Sequence, residues 1–307
     1  MHTAYITHPD CEKHEQHDGH PESRDRIHDI QDRLMLSHML DFMPYVEAPL
    51  VTREQLERVH TKEYVRFVED NAPTEGMVFL DDDTAMTPLS LRAAHLAAGS
   101  GVKAVEMVVN GEVPNAFCNI RPPGHHALSH KAMGFCIFNN IAVAAGHALE
   151  VMGLERVAIV DFDVHHGNGT EEIFSGDDRV LFCSSFQHPF YPFTDIESYS
   201  KNIIKSPLKG GAGSQEFRDA ITNDWLPALH AHKPQLILIS AGFDAHYEDD
   251  MGELDLMDAD FAWVTEELKK VADLYAEGRM VSMLEGGYVK PALGRATTAH
   301  VRVMMGI

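Results

Sequence analysis

Two hydrophobic patterns alternate along the chain. Short runs of consecutive apolar residues, typical of strands buried on both faces of a sheet, are separated by longer segments with apolar residues at every third or fourth position, typical of helices. Strands are predicted at Ala4–Thr7, Ala116–Ile120, Arg156–Val160, Val180–Ser184, Gln235–Ser240 and Met280–Leu284. Alternation of strands and helices predicts an α/β fold with a central, mostly parallel sheet flanked by helices on both faces.

Several of the predicted helices have recognisable ends. Thr52 and Gln55 form a capping box, Thr61 repeats the N-cap at the next helix, and Asp258 is the expected N-cap of a later one. Helices are predicted at Glu22–Met39, after Thr52, after Thr61, and at Leu91–Val109, Asn139–Met152, Gln215–His232, Ala259–Ala276 and Pro291–Met304. No repeat, linker or low-complexity tract divides the chain, so residues 1–307 are predicted to form one domain.

The segment from His8 to His20 is polar and rich in histidine. Cys11, His14, His17 and His20 recur at every third position, a spacing that suggests a structural zinc site. No second pair of ligands accompanies them, so a solvated loop is the interpretation that the sequence favours.

Polar residues gather where the predicted strands end. They form the stretches Arg121-P-P-G-H-H, Asp161-F-D-V-H-H, Ser184-Ser185, Ser240-A-G-F-D-A-H and Glu285-G-G-Y. The carboxyl ends of parallel strands meet at one edge of the sheet, where ligands of α/β proteins bind. We therefore expect these stretches to line a single functional site.

A catalytic metal site is predicted within the stretch Val157–Thr170. Its apolar run ends in Asp161, Asp163, His165 and His166, and unpaired carboxylates at a dry strand end are costly unless a cation accompanies them. Side chains alternate along an extended segment, so Asp163 and His165 project to the same side and can share one metal ion.

Composition narrows the classes of function. The 307 residues include 25 Lys and Arg against 47 Asp and Glu, a net charge of −22 that disfavours binding to nucleic acid. The acidity would attract cationic substrates, although solubility is the simpler interpretation. Four cysteines without a C-x-x-C spacing suit a reducing compartment. Because the sequence shows no signal pattern and no long apolar run, a cytoplasmic protein that does not enter a membrane is expected.

The motifs also resemble the zinc-dependent histone deacetylase family, in its class II-like and bacterial amidohydrolase branch. They are R-P-P-G-H-H-A, G-F-C-x-F-N-N, D-F-D-V-H-H-G-N-G-T, S-A-G-F-D-A-H and L-E-G-G-Y, in order from Arg121 to Tyr288, with H-P-E-S at His20 and L-E-R-V-H-T-K-E-Y at Leu56 before them. The resemblance implies an arginase/deacetylase-like fold and an enzyme that uses Zn²⁺ to hydrolyse acyl-lysine amides in peptides or proteins. It also implies a structural K⁺, and it does not decide whether the protein forms an oligomer. The implied potassium ligands are Asp161, Asp163, His165, Ser184 and Ser185.

The resemblance makes Asp163, His165 and Asp244 the zinc ligands. Two carboxylates and one imidazole leave an open coordination position, as a catalytic zinc requires. The di-manganese ureohydrolases share this fold class but carry further carboxylates where this chain has Gly167 and His246. A single metal ion is therefore expected.

Five more residues acquire catalytic roles by resemblance. His126 is implied to be the proton shuttle, taking a proton from the attacking water and giving it to the leaving amine, while His125 is electrostatic and oriented by Asp161. Asn168 stands behind His126 where some relatives have an aspartate, and a neutral partner should leave this imidazole less basic. Tyr288 is implied to donate a hydrogen bond to the developing oxyanion.

The resemblance also implies a narrow substrate channel. Phe135, after Gly134, and Tyr191 match its aromatic walls, although aromatic residues at such positions also occur in cores. Asp83 aligns with a rim aspartate that binds substrate amides, and Asp82 is the alternative.

Substrate class depends on a position at the channel mouth. Met251 stands there, as an apolar residue does in lysine-directed relatives, and a thioether cannot pair with an ammonium. The nearby Glu248, Asp249 and Asp250 offer carboxylates, so acetylpolyamine hydrolysis is the alternative. A third hypothesis is a degenerate, non-catalytic module that binds acyl-lysine.

Overall fold

A parallel eight-stranded sheet forms the centre of the computed structural model, which describes residues 2–307. The strands are β1 (Ala4–Thr7), β2 (Tyr45–Glu47), β3 (Val78–Phe79), β4 (Ala85–Met86), β5 (Asn115–Cys118), β6 (Val157–Asp161), β7 (Val180–Gln187), β8 (Ile203–Leu208), β9 (Leu236–Ala241) and β10 (Met280–Leu284). The sheet order is β2-β1-β5-β10-β9-β6-β7-β8, and β3 and β4 form a separate antiparallel pair. The predicted fold class is confirmed.

Helices cover this sheet. They are α1 (Asp25–Leu36), α2 (Arg53–Leu56), α3 (Lys62–Asp70), α4 (Ser90–Val109), α5 (Asn140–Glu150), α6 (Asn168–Phe174), α7 (Ser214–Ala220), α8 (Leu226–His232), α9 (Asp258–Tyr275) and α10 (Lys290–Met305). Within the described part of the chain, no helix is long and apolar enough to cross a membrane.

Strand β6 shows why its apolar run does not alternate with polar residues. Val157 and Ile159 pack into one hydrophobic cluster with α4 and α5, whereas Ala158 and Val160 pack into another with α1, α9 and α10. All four side chains are fully buried. Both faces of the sheet are therefore covered, and a polar side chain on this strand would be buried on either face.

The segment His8–His20 differs from the prediction of a solvated loop. Residues Pro9–Lys13 form a short 3₁₀-helix, and Cys11 and His14 are buried. His14 Nδ1 lies 2.7 Å from the Ser90 hydroxyl of α4. The zinc alternative for this segment finds no support either. Among residues 2–307, one group of three or more His, Cys and acidic side chains could hold a metal ion, and it lies outside this segment.

Several boundaries also differ. Helix α1 starts at Asp25, after the predicted start at Glu22, and ends at Leu36. The predicted helix Gln215–His232 is interrupted by the π-helical turn Ile221–Trp225. Asp258 is the first residue of α9, and Met257 occupies the N-cap position. These ends depend on neighbouring packing, which the spacing of apolar residues does not report.

The sequence pattern does not predict the two edge strands. Strand β2 is largely exposed, and β8 contains the exposed Pro207, so neither has a continuous buried run. Helix α6 and the β3–β4 pair are likewise not predicted. Edge strands need only one partner and can carry polar residues or proline, which removes the hydrophobic signal.

A buried ionic cluster joins the start of the chain to the loop after β5. The Glu22 carboxylate accepts hydrogen bonds from Arg121 Nε at 2.5 Å and from Arg121 Nη2 at 2.7 Å, and Arg26 Nη1 donates to it at 3.3 Å. All three residues are fully buried. Burial alone would raise the pKa of Glu22, but Arg121, with His14 and Arg26, lowers it to about 2.

Replacing Glu22 by Gln should therefore destabilise the fold. The change leaves Arg121 buried without its counter-charge, and we expect the free energy of unfolding at pH 7 to fall by about 3–5 kcal/mol in urea titrations. Because folding lowers the pKa of Glu22 from 4.5 to about 2, its contribution is fully present above pH 4.5 and is lost as the pH falls through 2.

Asp25→Asn is the matched control for Glu22→Gln. Asp25 pairs with Lys290 at 2.7 Å on the surface, where both side chains are half exposed. Its loss should cost less than about 1 kcal/mol. Equal destabilisation by the two variants would contradict the role assigned to the buried cluster.

Candidate active site

Loops that follow β5, β6, β7, β9 and β10 meet at the carboxyl edge of the sheet. They enclose, with the β3–β4 region, a cavity of about 350 Å³ lined by Asp83, His126, Gly134, Phe135, His165, Phe190, Tyr191, Asp250, Met251 and Tyr288. The structure thus brings most of the predicted site residues to one cavity, because parallel strands place their following loops at the same edge.

Asp163, His165 and Asp244 meet at this edge, two following β6 and one following β9. Their candidate ligand atoms lie within 4.8 Å of one another, and all three residues are buried. His165 Nδ1 is 3.0 Å from Asp163 Oδ1 and 3.4 Å from Asp244 Oδ2. Asp244 Oδ2 is buried without a hydrogen-bond partner among the described residues. A buried carboxylate oxygen of this kind requires a cation or a proton.

Backbone from neighbouring loops fixes the two carboxylates. Gly286 N donates to Asp163 Oδ2 at 2.8 Å, and Val164 N donates to Asp244 Oδ1 at 2.9 Å. A Cβ at Gly242 would lie 2.0 Å from Asp163 Oδ2, and one at Gly286 would lie 2.0 Å from Asp244 Oδ2. Only glycine lets the chain pass this close. Two carboxylates and an imidazole held in this way fit a single divalent cation such as zinc.

The two adjacent histidines have opposite electrostatic environments. Burial opposes a charge on His125, but Asp161, whose Oδ2 is 2.8 Å from His125 Nδ1, and Asp163 raise the pKa of His125 well above its ordinary value. Burial, with the neighbouring His125 and His165, lowers the pKa of His126 well below its ordinary value. The surroundings therefore favour the charged form of His125 and the neutral form of His126.

The partner of His126 fixes its tautomer. His126 Nδ1 lies 2.7 Å from Asn168 Oδ1, and Asn168 Nδ2 donates to Met133 Sδ. Because an amide oxygen can only accept, Nδ1 of His126 donates and Nε2 carries the free lone pair. Gly134, at φ +58°, packs against this ring, where a Cβ would lie 2.4 Å from His126 Cδ2. This imidazole is thus available as a base.

Arg26 contacts the loop that carries Tyr288. Its guanidinium lies 4.8 Å from the centre of the Tyr288 ring, its Nε donates to Gly287 O at 2.6 Å, and its Nη2 donates to Glu285 O. Burial raises the pKa of Tyr288 well above its ordinary value. The phenol therefore stays protonated and can donate a hydrogen bond into the cavity.

The cavity walls are tied together near Asp83. Its carboxylate accepts hydrogen bonds from Gly134 N at 2.9 Å and from the Tyr191 hydroxyl at 3.2 Å. Phe135 packs edge-on against Tyr288, with ring centres 6.2 Å apart. Asp83 therefore links both predicted walls, a contact that the sequence does not reveal.

Comparison with known proteins identifies the family. A model of the histone deacetylase domain matches residues 20–304. The chain belongs to the histone deacetylase family. The resemblance predicted from its motifs is confirmed, and the deacetylase relatives support a hydrolase.

Three members of the family illustrate the similarity, each aligned over most of its length. A probable deacetylase of Archaeoglobus fulgidus is 38% identical, with all of this chain and 87% of the relative aligned. Chloroplastic histone deacetylase 14 of Arabidopsis thaliana is 33% identical over 94% of this chain and 74% of its own. The crystal structure of the HDA15 HD domain superposes with a TM-score of 0.93 at 34% identity, covering 99% of this chain and 88% of that one.

Some residues of this candidate site have little or no signal in the sequence. Phe190 stacks on His165 with ring centres 5.5 Å apart, and Arg26 is hidden among the polar positions of α1. Glu285 accepts from Gly124 N at 2.7 Å and from His125 N at 3.2 Å, so it holds the histidine loop in place. For Glu285 the sequence does offer a signal, because this residue lies in L-E-G-G-Y and its partners lie in R-P-P-G-H-H.

Besides His125, Asp163, Asn168 and Asp244, two groups of predicted residues do not line the cavity. Asp161 and Ser184 are register partners on β6 and β7, but the Ser184 hydroxyl lies 2.9 Å from His166 Nδ1. The potassium site, including Ser185, stays a prediction. Glu248 pairs with Arg295 at the surface, so it does not line the cavity, whereas Asp250 and Met251 do.

Proposed function

We propose that this deacetylase hydrolyses the amide of N-ε-acyl-lysine in peptides or proteins with the help of one zinc ion. The observation that carries the proposal is the buried Asp163–His165–Asp244 group, with its unpartnered Asp244 oxygen, beside a neutral His126 in a cavity with aromatic walls. An aromatic-walled cavity suits an aliphatic lysine side chain, and the three ligands suit a catalytic metal.

Asp163, His165 and Asp244 would hold the ion. Zinc bound there supplies Lewis acidity towards water and the substrate carbonyl. His126 accepts a proton from the attacking water at Nε2 and returns it to the leaving amine. His125, positively charged beside Asp161, stabilises the negative charge that develops. Tyr288 donates its hydroxyl hydrogen to the oxyanion, and Arg26 orients the Tyr288 ring.

Removal of a ligand carboxylate tests the metal site. Asp163→Ala or Asp244→Ala should abolish both bound zinc and hydrolysis of acetyl-lysine peptides, because two remaining ligands do not hold the ion tightly. Metal analysis of the purified variants measures the first effect. The exposed Asp255, changed to Ala, serves as control and should keep its zinc. Stoichiometric zinc in either ligand variant would refute the ligand set.

Tyr288→Phe tests the oxyanion donor. The change removes one hydroxyl and keeps the ring over Arg26, so zinc content should be unchanged. We expect kcat on an acetyl-lysine peptide to fall by roughly a hundredfold or more, the usual cost of one oxyanion donor. Near-wild-type turnover would contradict the assignment of Tyr288 as the oxyanion donor.

Acetylpolyamine hydrolysis is the second candidate because Asp250 lines the cavity beside Met251. An exposed carboxylate at that place can attract the distant ammonium of a polyamine. The apolar Met251 favours acyl-lysine, since its thioether offers no partner for a charge. Hydrolysis of acyl-lysine and hydrolysis of an acetylpolyamine would use the same catalytic residues.

A side-by-side comparison of substrates separates the two candidates. We expect kcat/KM to be higher for acetyl-lysine peptides than for acetylspermidine or acetylputrescine. Asp250→Asn should lower kcat/KM for acetylspermidine by up to about fivefold, because one exposed ion pair contributes at most about 1 kcal/mol. The effect on a peptide without flanking charges should be smaller. Higher kcat/KM for a polyamine than for every acyl-lysine peptide would reverse the order of the candidates.

A further inference from the structure

Asp249 lies between the metal-binding segment and the Tyr288 loop. It is only 5% exposed, five positions after the predicted ligand Asp244. Its Oδ2 accepts hydrogen bonds from Tyr288 N at 2.6 Å and Val289 N at 3.1 Å, and its Oδ1 accepts one from Met251 N at 3.1 Å. Three backbone donors thus meet a single buried carboxylate, which offsets much of the cost of its burial.

The start of α10 explains why these donors are available. The first N–H groups of a helix have no partner within it. Val289, at the N-cap position, provides no side-chain cap, and Pro291 has no N–H to be satisfied. Asp249 therefore satisfies the N–H of the N-cap residue Val289 and of Tyr288 before it, and its negative charge is favourable at a helix N-terminus.

The same loop is held from its other side by Arg26. Arg26 donates hydrogen bonds to the carbonyl oxygens of Glu285 and Gly287. The Asp249 carboxylate accepts hydrogen bonds from the N–H groups of Tyr288 and Val289. Gly287 has a φ of +111°, a backbone conformation that residues with a side chain rarely adopt. The position of the Tyr288 ring thus depends on these two anchors.

We propose that Asp249 is a positioning residue that holds the Tyr288 hydroxyl where the oxyanion forms and joins it to Met251 at the cavity wall. The inference rests on the proposed function, in which Tyr288 donates to the oxyanion. It assigns no contact with substrate to Asp249: this carboxylate acts through the backbone of Tyr288. A small displacement of an oriented catalytic group is enough to lower turnover strongly.

Asp249→Asn tests this role. The amide keeps one acceptor oxygen but turns an NH₂ donor towards backbone donors, so at least one of the three hydrogen bonds is lost. We expect kcat on an acetyl-lysine peptide to fall by roughly tenfold to a hundredfold, with KM changed less than kcat. Zinc content should stay stoichiometric, because the three ligands are untouched. Asp255→Asn, the same chemical change at an exposed position nearby, is the matched control.

A double-mutant cycle with Tyr288→Phe separates positioning from a general loss of structure. If Asp249 acts through the Tyr288 hydroxyl, Asp249→Asn should lower kcat by no more than about twofold once that hydroxyl is absent. The same fold-loss in both backgrounds, or loss of zinc from Asp249→Asn, would overturn the proposal. Should Asp249→Asn not fold, Asp249→Glu, which keeps the charge and shifts the acceptors, enters the same cycle with the same criteria.

The outcomes also distinguish this inference from the function on which it rests. Full activity of Tyr288→Phe, or no hydrolysis of acyl-lysine by the wild type, would refute the proposed function. A normal loss in Tyr288→Phe together with full activity of Asp249→Asn would refute only the role of Asp249.

Discussion

Two buried carboxylates at one edge of the sheet, Asp163 and Asp244, are the constraint on which the site depends. They follow different strands, and the oxygen of Asp244 that has no partner within the described chain faces His165. Burying such charges is favourable only when a cation balances them. Gly242 and Gly286 leave the space that the carboxylates occupy, so the surrounding loops are built around this charge.

Asp161 and Asp163 act differently on the two neighbouring histidines. His125 lies 2.8 Å from the Asp161 carboxylate, which favours its charged form, whereas His126 faces the neutral amide of Asn168 and lies next to His125 and His165. Their pKa values are therefore shifted in opposite directions although their rings are only 4.0 Å apart. A charged group beside a free base suits the amide hydrolysis that we propose.

Buried ion pairs and caps then hold the catalytic loops from outside. Glu22 and Arg121 connect the N-terminal segment to the histidine loop, Arg26 reaches from α1 to the Tyr288 loop, and Asp249 accepts a hydrogen bond from the backbone of the same tyrosine. Each link joins parts of the chain far apart in sequence. In the proposed mechanism, rigid support of this kind would keep the reacting groups oriented.

The sequence by itself determines the α/β fold and the set of motifs at the strand ends, because a strand buried on both faces leaves a continuous apolar run and parallel strands share one carboxyl edge. It therefore predicts that Asp163, His165 and Asp244 meet. Only the tertiary structure shows the burial of His14, the edge strands β2 and β8, and the contacts of Arg26 and Asp249 with the Tyr288 loop. These depend on partners up to hundreds of positions away, and a polar residue in a helix or loop shows the same local pattern whether it faces solvent or a buried partner.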